Sequence, residues 1–269
     1  MKQTLQGHVS LITGGGSGMG KATASLLASL GASVVLVSRS ARALEKTQSE
    51  IIQSSGNRNL AAVPCDVEKT DDARRAVEAA VGKFGRIDSL LLFAGYNVDY
   101  GKLCQARPAE NLIGTLETIV NTDLLGTARM IFLVEPILRQ QRRGVIVTIS
   151  NTPLLTHGPD DLLFQIAKAG NKQVVEVLAE QHRADGFSDL RCYCLAPGYV
   201  GNPTTLEGLP ASKRREADQE GWLDSSRHIA PVVSWLLMEK IERPSGTTLK
   251  LTPATVSALF REAGETFVP

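Results

Sequence analysis

Short β-branched apolar runs alternate along this chain with longer stretches whose apolar residues recur at helical spacing. Val9 to Thr13, Ser33 to Val37, Leu60 to Pro64 and Ile87 to Phe93 read as strands. The segments between them, Met19 to Leu30, Leu44 to Ile52 and Asp71 to Phe84, read as helices. The second half continues with a long helix from Leu116 to Leu138, a strand from Gly144 to Ile149 and a helix from Leu162 to Arg183. A strand from Leu190 to Leu195, a helix from Ile229 to Met238 and a strand from Thr247 to Leu251 complete it. Strands this apolar are buried on both faces, which predicts a parallel sheet covered by helices on each side. The expected fold is α/β: one doubly wound domain over residues 1–269, with about seven parallel strands flanked by helices. The stretch 198–222 has no steady period and contains Gly201, Pro203, Gly208 and Pro210, so it reads as a lid-like insertion.

Composition narrows the possible functions. With 269 residues, 43% hydrophobic and a net charge of +1, the chain is neither disordered nor a basic nucleic-acid binder. No apolar run is long enough to cross a bilayer. The expected partner is a small molecule, with no nucleic acid and no membrane. Cys65, Cys104, Cys192 and Cys194 include no C-x-x-C pair. Cys65 and Cys192/Cys194 sit in apolar runs and read as buried free thiols in a reducing compartment. Met1 to His8 lacks an apolar signal core, so the cytoplasm is the expected location.

The chemistry begins in the first βα turn, Thr13-Gly14-Gly15-Gly16-Ser17-Gly18-Met19-Gly20. Glycines here let backbone N–H groups reach a diphosphate, and the helix N-terminus adds partial positive charge. Gly14, Gly16, Ser17, Gly18, Met19 and Gly20 are therefore candidate dinucleotide ligands in a Rossmann-type domain, although the literal G-x-G-x-x-G is missing. At the end of the second strand, where an NAD site places a carboxylate, the chain has Ser38-Arg39. A planar guanidinium there suits a 2′-phosphate, so NADP(H) is expected over NAD(H). The alternative for Arg39 is a solvated residue at a helix start.

These motifs, taken in order, resemble the short-chain dehydrogenase/reductase family. The glycine loop fits its nucleotide loop, and Asp66-Val67 resembles the pair its members use on adenine. Leu92-Phe93-Ala94-Gly95 is similar to its Asn-Asn-Ala-Gly segment, and Pro197-Gly198-Tyr199-Val200 to its turn beside the nicotinamide. The resemblance implies cofactor contacts at Asp66, Val67, Ala94, Gly95, Lys168, Pro197, Gly198 and Val200. It also implies homodimers or homotetramers paired through the long helices that begin near Leu116 and Phe164.

The catalytic positions depart from the family. Its members work through Asn, Ser, Tyr and Lys, where Tyr moves the proton and Lys holds the nicotinamide ribose. Lys168 matches the Lys, but Phe164 stands at the Tyr position and Asn151, beside Ser150, at the Ser position. Asp123 best matches the helix Asn, with Asn121 an alternative register. Phenylalanine has no ionisable proton, so the usual carbonyl reduction cannot run through this position. Three explanations are open: reduction of a C=N or conjugated C=C bond, a proton from another residue, or altered or lost chemistry. Relatives of the dienoyl-CoA reductase type also lack this Tyr. Substitute acids are Asp123, Tyr96, His157, Asp160 and Asp161; Tyr199 and Trp222 could line or cover a substrate. Asn202, Thr204 and Thr205 follow the Pro-Gly turn, where the family often has Thr. Arg129 is expected at an interface or on a substrate anion, and Trp235 in the core. The function expected is an NADPH-dependent reductase with a non-standard site. The alternative is a cyclase, isomerase or binding protein that keeps the cofactor and performs no net redox step.

Overall fold

The computed structural model describes residues 4–96, 109–151, 162–201 and 211–265. Their strands are β1 (Val9–Thr13), β2 (Ser33–Ser38), β3 (Leu60–Pro64), β4 (Ser89–Leu92), β5 (Gly144–Ile149), β6 (Leu190–Pro197) and β7 (Thr248–Leu251). All neighbouring pairs are parallel, in the order β3-β2-β1-β4-β5-β6-β7. The helices are α1 (Gly18–Ser29), α2 (Ala41–Ser55), α3 (Thr70–Phe84), α4 (Ala109–Ile119), α5 (Gly126–Gln141), α6 (Leu162–Ala184), α7 (Ala211–Glu220), α8 (Ala230–Leu237) and α9 (Pro253–Glu262). Among the described residues no helix is long and apolar enough to cross a membrane.

The period-2 pattern of the strands explains why both faces are covered. Val34 and Leu36 of β2 enter one core, while Val35 and Val37 enter the other. The same split separates Tyr193 and Leu195 of β6 from Cys192 and Cys194. The first core is closed by α1, α2, α8 and α9, through residues such as Leu27, Leu44, Val233 and Leu259. The second is closed by α3, α5 and α6, through Val77, Val134 and Val175. Each fully buried Leu or Val stabilises the fold by about 1.5–3 kcal/mol relative to exposure. Trp235 lies in the first core with its ring edge-on to Phe260, centroids 4.7 Å apart, as the apolar pattern anticipates. Cys65, Cys192 and Cys194 are buried free thiols. Burial pushes Cys65 up to about 11 and Cys192 up to about 12, so neither is a nucleophile at neutral pH.

Several elements differ from the pattern-based reading. Helix α2 begins three residues before Leu44 because Ser40 caps it, its hydroxyl accepting from the Ala43 amide at 3.2 Å. The long helix expected from Leu116 starts at Ala109 and is interrupted at Val120–Leu125 by a π-helical turn. The 198–222 stretch contains helix α7, whose one deeply buried described side chain is Ala217, too sparse a signal for periodicity. Helix α9 follows the last strand beyond the elements the pattern predicts; Thr252 and Thr255 form its capping box, and Val256 and Leu259 are buried.

The chain moves outward from β1 to β3 and then returns to lay β4 against the other side of β1. This reversal opens a crevice beyond the C-terminal ends of β1 and β4, where doubly wound sheets bind ligands.

Candidate active site

At the first edge of the crevice, the β1–α1 loop passes tightly beneath the end of β4. Gly14 has φ +69°, and a Cβ on it would stand 2.7 Å from the Phe93 carbonyl. No other residue meets both demands without moving β4. Thr13 Oγ1 accepts from the Ala94 amide at 3.1 Å, and the Gly15 amide donates to Val37 O at 3.1 Å. Thr47 Oγ1 donates to Gly16 O at 3.3 Å, which fixes the loop from the side of α2. Helix α1 has no side-chain cap at Ser17 and no acidic residue in its first turn, and nothing lies within 4 Å of the Cβ position of Gly18. Uncapped amides, absent carboxylates and open space are what a diphosphate requires. Met19 and Gly20 begin the helix behind this opening.

At the end of β2, Ser38 Oγ is buried against Gly16 and has no hydrogen-bond partner among the described residues. Arg39 is exposed, with no ion pair to any described residue. Beyond β3, Asp66 Oδ1 accepts from the Glu68 amide at 3.2 Å, and the Asp66 amide donates to Asp72 Oδ2 at 3.1 Å. That bond, with Arg75 beside it, holds the Asp72 carboxyl below the usual carboxylate range. Val67 is buried.

The centre of the crevice is built on Asp123, which lies in the π-turn and is fully buried. Asp123 Oδ1 accepts from the Tyr96 amide at 2.5 Å. Gly95 packs so closely that a Cβ on it would lie 3.2 Å from Asp123 Oδ2. Lys168 Nζ stands 2.8 Å from the same oxygen, a close ion pair whose angles miss those of a hydrogen bond. Only 7% of the Lys168 side chain is exposed. Phe164, one helical turn before it on α6, places its ring centroid 4.8 Å from Nζ. Phe164 also packs with Ile119, Ala167, Tyr96, Leu112 and Leu163 in an apolar cluster beside the ion pair.

Ser150 does not substitute for Asn151. Its hydroxyl is buried and donates to Lys168 O at 2.9 Å, which leaves it structural. Asn151 is half-buried, and its Oδ1 has no hydrogen-bond partner among the described residues. Asn121, the other candidate for the helix Asn position, is exposed, whereas Asp123 is enclosed. The structure therefore brings Asp123, Lys168, Phe164, Tyr96 and Gly95 into contact. It sets Asn151 directly after β5, next to Ser150.

The third edge is the turn after β6. The Gly198 amide donates to Leu251 O at 2.8 Å, and Val200 pairs with Leu223 in a parallel bridge. Pro197 and the Val200 side chain are buried. Trp222 Nε1 donates to Asp218 Oδ1 at 2.8 Å, and its ring stands edge-on to Tyr199, centroids 6.0 Å apart. Trp222 thus anchors the return of the 198–222 stretch to the Pro-Gly turn. His157, Asp160, Asp161, Asn202, Thr204, Thr205 and Cys104 lie outside the described residues.

Arg129 is half-buried, and within the chain its Nη1 donates to Val67 O at 2.5 Å and its Nε to Thr70 Oγ1 at 3.1 Å. The sequence reading also missed the Tyr96 amide, the π-turn and the bond from Thr122 Oγ1 to Glu68 Oε1. Gly126, a glycine inside a helical pattern, was the available signal for close packing at this point.

A cavity of about 570 Å³ lies at the opposite, N-terminal edge of the sheet, lined by His8, Asp88, Arg143, Arg191 and Glu239 among others. Among its charges, Arg143 pairs with Asp88 and Arg191 with Glu239. Among the described residues no group of three or more His, Cys, Asp or Glu side chains could hold a metal ion.

The comparisons agree with this fold. The family model for short chain dehydrogenase matches residues 8–211. An uncharacterized oxidoreductase of Listeria monocytogenes is 30% identical over 206 residues, 77% of this chain and 79% of the relative. The 3-oxoacyl-(acyl-carrier-protein) reductase of Thermotoga maritima is 28% identical over 248 residues, 91% of this chain and 96% of the relative. Among solved structures, levodione reductase superposes with a TM-score of 0.81 at 25% identity, covering 94% of this chain and 99% of that one. The 3-ketoacyl-(acyl-carrier-protein) reductase of Brucella melitensis, complexed with NADH, gives 0.78 at 25% identity, over 93% and 98%.

Proposed function

The chain belongs to the short-chain dehydrogenase/reductase family of oxidoreductases, and from that premise we propose that it is an NADPH-dependent reductase acting on a C=N or conjugated C=C bond rather than on a simple ketone. The observation that carries this reading is the surroundings of Lys168. Its ammonium lies between the Asp123 carboxylate at 2.8 Å and the Phe164 ring at 4.8 Å. Carbon occupies the position from which a phenol would deliver a proton. A ketone becomes an alkoxide as hydride arrives, and without an acid its barrier rises by the value of general acid catalysis, about 10²–10⁴-fold in rate. An iminium already carries its proton and needs no acid. A conjugated acceptor forms an enolate, which the Lys168 charge stabilises and solvent protonates.

NADPH, when bound, supplies the hydride. The residues of this chain bind and orient. Gly14, Gly16, Ser17, Gly18, Met19 and Gly20 hold the diphosphate, while Asp66 and Val67 flank the adenine. Ala94, Gly95, Pro197, Gly198 and Val200 border the nicotinamide, and Lys168 holds the ribose hydroxyls. Asn151, whose Oδ1 lacks a hydrogen-bond partner among the described residues, orients the substrate. The choice of NADP(H) rests on Ser38-Arg39 at the end of β2, an exposed guanidinium without an acidic partner among the described residues. Phe164, Leu112, Leu163 and Tyr96 give the site an apolar wall on the side of Phe164 and leave the access of solvent to the enolate to the opposite side.

Exposed apolar residues on α4, α5 and α6, with Ile113 56% and Phe132 76% exposed, support self-association through these helices as a dimer or tetramer. The 198–222 stretch acts as the lid of this single domain, and the cytoplasm is the proposed location.

The test is stoichiometric. With a cyclic imine or an enone, one equivalent of NADPH should disappear per product formed. Product formed with no loss of nicotinamide absorbance rejects the redox reading.

A further inference from the structure

The loop after β3 grips the polypeptide that carries Asp123 at three points. Before Asp123, Thr122 Oγ1 donates to Glu68 Oε1. After it, Gly126 approaches Val67 so closely that a Cβ would stand 2.7 Å from Val67 Cγ2. One turn further, Arg129 spans Val67 O at 2.5 Å and Thr70 Oγ1 at 3.1 Å with two nitrogens of one guanidinium. The segment gripped is the π-turn Val120–Leu125. A π-turn holds one residue more than an α-helix would, and its return to α geometry turns everything beyond it by about 100°. Asp123 lies inside the turn, so the same change would alter the direction of its side chain toward Lys168 and the Tyr96 amide. Neutral acceptors leave the Arg129 charge without an ion pair among the described residues but well hydrogen-bonded, and the rigid fork fixes both direction and spacing.

We propose that Arg129 is a positioning residue: by binding helix α5 to the β3–α3 loop it holds the π-turn in register, and with it Asp123 against Lys168 and Tyr96. Because that loop is read as the neighbour of adenine, the inference deepens the proposed function and rests on it for the link to cofactor. Through this link the adenine end of the crevice and its catalytic centre move as one body.

Amide hydrogen exchange tests the mechanical part without any cofactor. In Arg129→Met the Tyr96 amide should lose protection at least about tenfold, while Val145 to Ile149 of β5 stay protected. Arg129→Lys, which keeps one donor for Val67 O, should restore part of it. If Arg129→Met opens β5 as well, Thr70→Val, which removes one acceptor, is read at Tyr96 instead. Unchanged Tyr96 protection in folded variants overturns the proposal. The second arm compares NADPH with adenosine 2′,5′-bisphosphate, its adenine half. Arg129→Met should weaken NADPH about tenfold and the fragment less than about threefold. Equal weakening of both assigns Arg129 to the adenine loop alone and also overturns the proposal. Wild-type protein that binds neither rejects the cofactor reading, and the exchange arm still decides the role of Arg129.

Discussion

Replacing Lys168 with Met removes the positive partner of a carboxylate that is fully buried. Asp123 would keep the Tyr96 amide and lose the ammonium at 2.8 Å. Stripping one partner from a buried ion pair costs about 3–5 kcal/mol, because the other charge remains without solvent or counter-charge. The contact between Lys168 and the Phe164 ring adds about 0.5–2 kcal/mol, so the ion pair dominates the loss. Asp123→Asn should be costly in the same way, since it strands an ammonium only 7% exposed. The double variant leaves neither charge of the pair behind, so its loss should fall short of the sum of the two single losses by about 2–3 kcal/mol. Urea unfolding followed by the fluorescence of Trp222 and Trp235 measures all four proteins. If each single variant loses less than about 1 kcal/mol and the losses add, the pair behaves like an exposed surface bridge, and the closed-site argument fails.

Two further outcomes follow from the crevice. Arg39→Ala should weaken NADPH at least about tenfold and NADH less than about threefold, measured by nicotinamide fluorescence; equal weakening rejects the 2′-phosphate role. The Asp66 amide and Arg75 hold Asp72 below its ordinary value, so its stabilising effect is full above the usual carboxylate range and fades as pH falls through the depressed value. The gap in melting temperature between wild type and Asp72→Asn should therefore narrow on acidification, and a gap that widens contradicts the assignment.

Particular residues show what the sequence made legible. Alternation in Val34 to Val37 and Cys192 to Leu195 carries the doubly covered sheet, because a strand buried on both faces must be apolar at every position. The glycine loop and Lys168 were readable from residue type and order. The π-turn was not, because one extra residue in a helix leaves the apolar spacing on either side intact. The hydrogen bonds of Arg129 were not legible for a related reason: its acceptors are a backbone carbonyl and a hydroxyl some sixty positions earlier in the chain, and no charge pattern marks them. The pairing of Asp123 with Lys168 joins two residues that the motif comparison had placed separately. What it changes is the meaning of Phe164, which covers the ammonium of that pair on one side.

The decisive measurement is the rate of NADPH oxidation with a cyclic imine or enone against that with the matching saturated ketone, in wild type and in Phe164→Tyr. Wild type should consume NADPH with the imine or enone and reduce the ketone at least about 100-fold more slowly, and the added phenol should narrow that gap. A wild-type enzyme that reduces the ketone as fast as the imine or enone would contradict the assignment of the site to acid-independent reduction.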